Sequence, residues 1–189
     1  MKTKNFIAAL MIMFTGSAMF AQKADVDTQK SSIVWLGKKI GGQHTGNIQI
    51  KSGNIELVKG EIAAGNFSVD MTSITNTDLK DEGYNQKLVD HLKSDDFFGV
   101  EDYPVAVFDV TESTIFKDGT ATITGDLTIK GKTESISFDV VRVGNEYSAS
   151  LEIDRSNFDV RFGSDSFFNN LGDKAIDDIF TLNIKLVVV

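Results

Sequence analysis

No cysteine occurs in the 189-residue chain, which excludes disulfides, thiol catalysis and thiolate metal sites. There is a single proline, Pro104. Its position just before the alternating run Val105–Val110 suits the first residue of a strand. Histidine is almost as scarce: His44 and His91 lie 47 positions apart, a spacing that forms no metal-binding motif. No nucleophile elbow of the form G-x-S-x-G occurs. GDKAIDD, residues 172–178, holds no glycine-rich phosphate cradle. The acidic groups Asp95-Asp96, Glu101-Asp102, Asp173 and Asp177-Asp178 lack the ligand spacing of a calcium loop. They fit solvated faces and helix ends better than paired-acid glycoside chemistry. No internal repeat or low-complexity linker appears.

Basic residues are in deficit, 19 Lys and Arg against 27 Asp and Glu. The N-terminus accounts for two of the basic ones. Lys2 and Lys4 precede a wholly apolar stretch, Phe6–Phe14, and then Gly16, Ser17 and Ala18. That is the pattern of a secretory leader, residues 1–21, cleaved after Ala21. Met19 is larger than the usual residue at the −3 position. The apolar run is short for a transmembrane helix; an uncleaved anchor is the alternative reading, and no cysteine is present for a lipid anchor. Removal of the leader leaves residues 22–189 as one domain, with all 27 acids and 17 bases. Such a charge opposes nucleic acid and anionic membrane surfaces. The expected location is the periplasm or the exterior, with no stable membrane insertion once the leader is gone.

What the chain does contain is β-pattern. In Thr120–Ile129, residues Ala121, Ile123, Gly125, Leu127 and Ile129 share one face, opposite Thr122, Thr124, Asp126 and Thr128. Glu134–Val140, Tyr147–Ile153 and Phe180–Val188 alternate in the same way, as antiparallel strands with one buried face do. Lys130-Gly131 and Gly144-Asn145 supply hairpin turns between them. Earlier strands are expected at Ser32–Lys39, Thr45–Lys51, Asn54–Val58 and Glu61–Met71, with a bulge at Gly65. Regular spacing of about nine strands points to a barrel or a sandwich, and runs near ten residues favour a tall barrel.

One amphipathic helix interrupts this pattern, at about residues 85–94. Leu88, Val89 and Leu92 recur at helical spacing, with Lys87, Asp90 and Lys93 between them. The helix runs out into Phe97-Phe98, which suggests a plug or lid on the barrel.

The chain has 14 Phe and one Trp, Trp35. Those on inward faces either fill a barrel or line a tunnel for an apolar ligand, and Ala63, Gly65, Ala121, Gly125 and Ala149 would leave room. Phe97-Phe98 and Phe167-Phe168 fall outside the regular strands, where they could cover an opening. Arg155, in Asp154-Arg155-Ser156 at a strand end, either holds an anionic head group or makes an ion pair with Asp154, Asp159 or Asp165. Arg161 is a second such arginine. His44, in GGQHTGN, and His91, on the helix, are head-group donors, general bases or structural imidazoles.

These pieces together resemble the YceI-like family of exported bacterial proteins. The resemblance covers Asp27 to Val188. It is carried in order by SSIVWLGKKIGGQHTG, GNFSVDMTSITNTD, HLKSDDFF, YPVAVF, ITGDLTIKGKT, IDRSNFDVRFGS and the last strand after AIDDIF. It implies an all-β fold, an extended antiparallel lipocalin-like β-barrel with the helix near one end. It also implies an isoprenoid or other fatty-chain amphiphile held in the interior, and no shared catalytic set. The expected function is non-enzymatic binding of a long-chain isoprenoid-type lipid, without metal or cofactor. The candidate tunnel and head-group residues are Trp35, His44, Phe67, Phe97, Phe98, Phe108, Phe138, Arg155 and Phe158. The competing readings are a solidly packed barrel that serves as a structural or interaction protein, and a lipid-modifying enzyme using a histidine. A strand edge leaves room for a homodimer, though no residue marks an interface.

Overall fold

The computed structural model describes residues 21–189; the expected leader lies outside them apart from Ala21. Nine strands follow in order: β1 (Gln22–Asp25), β2 (Ser32–Lys39), β3 (Gly42–Val58), β4 (Glu61–Asp70), β5 (Val105–Ser113), β6 (Thr120–Ile129), β7 (Lys132–Val143), β8 (Glu146–Asp154) and β9 (Ile179–Val187). One helix, α1 (Glu82–Lys93), lies between β4 and β5. The sheet runs β3-β2-β9-β8-β7-β6-β5-β4 and closes through a β3–β4 ladder, while β1 lies along β3 outside that ring. This is a closed eight-stranded antiparallel barrel, the lipocalin-like architecture the family resemblance implied and one of the two that the strand spacing left open.

Strands β2 and β6 have the expected bounds. The segments Thr45–Lys51 and Asn54–Val58 are instead one strand, β3, seventeen residues long. Ile48 and Ile50 are buried at even positions, Ile55 and Leu57 at odd ones. A register shift between Ile50 and Ser52 supplies the extra residue that keeps both halves facing inward. The bulge expected at Gly65 falls at Ala63, where the ladder steps from Glu56↔Ala64 to Leu57↔Ile62. Gly65 stays in the ladder, and a Cβ there would lie 3.2 Å from the Phe67 ring. The lack of a side chain is a matter of close packing.

The helix begins three residues earlier than its apolar spacing implied. Asp81 caps it by accepting a hydrogen bond from the Tyr84 N–H at 2.9 Å. At its other end Ser94 caps, and Lys130 on the β6–β7 hairpin donates to the Asp95 and Phe97 carbonyls at 2.7 Å each. This clasp fixes the loop that carries Phe97 and Phe98.

One wall of the barrel is incomplete. β7 pairs with β8 only from Val141↔Ser148 to Val143↔Glu146. Above that point the strands part, and a short 3-10 turn, Arg155–Phe158, packs against β7. Phe158 and Val160 are fully buried there. The irregular stretch 155–178 is therefore a patch in the wall.

Candidate functional site

Two connected spaces occupy the end of the barrel near α1. The outer one is a cleft of about 1160 Å³, bounded by α1, the β2–β3 hairpin and the 159–176 segment. The inner one is an apolar chamber of about 150 Å³, lined by residues such as Ile33, Ile48, Val69, Ala106, Leu127 and Leu182. Trp35, Gly37, Leu92, Phe97 and Ile176 border both. The chamber's residues come from alternate positions of β2, β3, β4, β5, β6 and β9, as inward faces of a barrel must.

The aromatic pair behaves as the junction between the two spaces. Phe97 packs edge-on against His91, with ring centroids 5.1 Å apart, and tilted against Phe162 at 5.8 Å. Phe98 lines the chamber and meets Phe180 edge-on at 6.5 Å. Trp35 is held by its indole N–H, which donates to the Thr75 carbonyl at 3.0 Å. Gly46 makes this possible: a Cβ there would sit 1.8 Å from that same carbonyl oxygen.

The chamber has a floor. Phe67, Phe108 and Phe138 point inward from β4, β5 and β7 but border neither space. They pack on one another, Phe67 stacked on Phe108 at 6.4 Å and Phe108 tilted against Phe138 at 5.4 Å. The room expected over Gly125 is filled by Phe108, whose ring would lie 2.5 Å from a Cβ there. The Asp109 carbonyl is equally near, so a larger residue at Gly125 would collide with backbone and could not serve merely to narrow a tunnel. Phe67, Phe108 and Phe138 are partly buried, not fully enclosed. Phe158 fills the wall patch and borders neither space.

Polar groups concentrate at the cleft. His44, on β3, lines it, and its Nδ1 lies 2.9 Å from Asp78 Oδ2. Partial burial pushes the Asp78 carboxyl up, but hydrogen bonds from His44, the Thr45 N–H and Asn76 outweigh this and hold it at about 2. Asp78 is thus ionised and accepts only, so His44 donates to it through Nδ1–H. Asp78 is 34 positions from His44, and no local pattern in the sequence pointed to it. A depressed carboxylate contributes stability above its unfolded value of 3.8 and loses it as pH falls toward 2. Asp78 is about one-third exposed, so solvent screening reduces the effect to about 1 kcal/mol. Between pH 5 and pH 2 the native protein should lose about that much more stability than Asp78→Asn, measured as urea midpoints; parallel curves would show that the pair contributes nothing.

Arg155 borders the chamber but is only 3% exposed. It donates to the carbonyls of Asp177 (3.1 Å), Val160 (2.9 Å), Phe162 (2.8 Å) and Ile176 (3.0 Å). Its Nη2 also lies 3.1 Å from Asp178 Oδ1, close enough for an ion pair though not aligned as a hydrogen bond. Burial pushes the guanidinium down from its ordinary value, while Asp178, Asp154 and Asp177 pull it back. The partner is Asp178, rather than Asp154, Asp159 or Asp165. A head group could reach Arg155 only by displacing one of these acceptors. Among the described residues no cluster of His, Asp and Glu is arranged to hold a metal ion.

Comparison with known proteins agrees with this architecture. The model of the YceI-like domain matches residues 25–188. UPF0312 proteins of two Pseudomonas putida strains, F1 and KT2440, are each 30% identical over 146 residues, covering 73% of this chain and 72% of the relative. The crystal structure of Burkholderia cenocepacia BcnA superposes with a TM-score of 0.61 at 24% identity, over 87% of this chain and 99% of that one. A polyisoprenoid binding domain from Saccharophagus degradans, implicated in plant cell wall breakdown, superposes with a TM-score of 0.62 at 17% identity, over 87% and 97% of the two chains. A match across nearly all of the described barrel, together with relatives at this identity and coverage, places the chain in the YceI-like family.

Proposed function

We propose that this barrel is an exported, non-enzymatic binding protein for an isoprenoid-type lipid or similar long-chain amphiphile, acting in the periplasm or outside the cell in transport, storage or sequestration. The observation that carries the reading is the apolar chamber opening through Trp35, Leu92 and Phe97 into a cleft with polar groups at its edge. An amphiphile needs such a graded site, with the tail in the chamber and along the cleft and the head group beside His44. Membership in the YceI-like family and the shared fold of a polyisoprenoid binding domain support it.

The volumes set the proportions. Ligand sites usually span about 300–1,000 Å³, so the cleft is large enough and the chamber alone is not. The chamber takes the tail end, and the remainder lies under α1. Burial contributes about 0.8 kcal/mol per methylene before ordering costs. A five-carbon unit is thus worth about 4 kcal/mol gross, so affinity for a series of prenols should rise by up to about 1000-fold for each unit until the chamber is filled, as titrated by quenching of Trp35, the single tryptophan. Affinity indifferent to tail length would sink the proposal.

The His44–Asp78 pair favours one second reading, an enzyme in which His44 Nε2 acts as general base on a bound lipid. Its mark would be a chemically altered lipid after incubation, abolished in His44→Ala. Unaltered lipid recovered from both proteins would leave binding alone.

A further inference from the structure

The 159–176 segment carries all three exposed phenylalanines of the described residues: Phe162 (41%), Phe167 (40%) and Phe168 (49%). Ile40, 56% exposed, tips the β2–β3 hairpin across the same cleft. These rings are not outward for want of order. Ser164 is fully buried and donates to Asp178 Oδ2 at 2.9 Å, and Ser166 donates to the same oxygen at 2.6 Å. The turn between them is thus tied to the barrel wall, with Phe167 and Phe168 displayed just beyond it. Arg161 lies over the Phe167 ring, 5.0 Å from its centre.

Charge sets this rim apart from the rest of the molecule. Residues 22–189 carry 27 acidic side chains against 17 basic ones, yet five basic and four acidic side chains line the cleft. Lys38, Lys39 and Lys174 belong to it and make no ion pair among the described residues. Exposed aromatics beside long basic side chains, on a face of near-zero net charge, suit the head-group region of a bilayer. The remaining acidic surface would be held off by its own solvation and charge. The same rim surrounds the entrance to the apolar chamber.

We propose that the rim docks on a lipid bilayer, with Ile40 and Phe167 entering the head-group layer, so that a tail passes between membrane and chamber without crossing water. This rests on the lipid-binding reading for its purpose, but the docking is measured separately. Neither Ile40 nor Phe167 lines the cleft or the chamber, so an Ile40→Ser/Phe167→Ser double variant leaves the binding site intact. Two readouts are compared. One is co-flotation of the protein with phosphatidylcholine vesicles. The other is the rate at which a polyprenol moves from those vesicles to the protein, set against its equilibrium affinity when added from ethanol.

The native protein should float with the vesicles, and more weakly as phosphatidylglycerol is added at low salt. The double variant should lose flotation and take up polyprenol about tenfold more slowly, with equilibrium affinity within threefold. A native protein that does not float overturns the docking, as does a transfer rate that the double variant leaves unchanged. Self-association of the native protein that the same substitutions abolish would make the rim a contact between copies, and would also overturn it. If polyprenol fails to bind from ethanol while the protein still floats, the lipid-binding reading fails and the docking stands.

Discussion

Arg155→Met is expected to cost about 3–5 kcal/mol of folding stability, the usual consequence of removing one partner from a buried ion pair. In a chain of this size that corresponds to a fall in Tm of about 10 °C. Methionine keeps much of the apolar bulk, so the loss would report the guanidinium itself. Four carbonyls from residues 160 to 177 would lose a donor each, and the half-buried Asp178 would be left beside an empty position. The patch that closes the gap between β7 and β8 is tied together by this one side chain. Lysine should not rescue it, because a single ammonium cannot reach four acceptors that a planar fork spans. Urea denaturation of native, Arg155→Met and Arg155→Lys proteins tests this. A loss below about 1 kcal/mol would mean that the wall patch stands without its central cation.

Ala106→Phe is expected to lower affinity for a long-chain prenol about 100-fold. Ala106 is buried and borders the chamber, so a phenyl ring there would occupy space assigned to the tail. Exclusion of about three to four methylenes at ~0.8 kcal/mol each gives that factor. Overpacking of a filled core costs about 1–3 kcal/mol, and the existing chamber should keep the cost at the lower end. A five-carbon prenol, which engages mainly the cleft, should bind the two proteins alike. A folded variant with unchanged affinity for the long chain would place the tail elsewhere and remove the chamber from the proposal.

Strand alternation was legible because it is local. In β6, inward Ala121, Ile123, Leu127 and Ile129 are buried and the threonines between them are less so, as the two-residue repeat demands. The helix was legible from Leu88, Val89 and Leu92, but its start was not, since the Asp81 cap adds no apolar signal. β3 read as two strands because Ser52-Gly53 resembles a turn. Neighbouring strands on both sides hold it straight, and the extra residue at Lys51 restores the phase. β1 is four residues long and exposed at three of them, so it carries too little pattern to be seen.

The candidate site was legible in part. Trp35, His44, Phe97, Phe98 and Arg155 border the cleft or the chamber. Phe67, Phe108 and Phe138 carry the same inward signal, yet they form the floor. Alternation says which way a side chain points, and not whether another ring is already there. His44 was visible and Asp78 was not, because their meeting depends on the extended segment after β4 returning beside β3, where the Thr75 N–H donates to the Asn47 carbonyl at 3.0 Å.

The absence of thiol chemistry, the acidic balance, the strands, the helix and the inward faces can all be read from the residues alone, because each depends on residue type or on spacing within one element. Where the interior opens near α1, what Arg155 binds, and which aromatics face out at the rim emerge only once the chain is folded. Those outcomes depend on closure of the barrel. Closure brings β4, β5 and β7 rings into one floor, sets Asp178 against Arg155, and leaves the 155–178 segment to fill the wall that β7 and β8 do not complete.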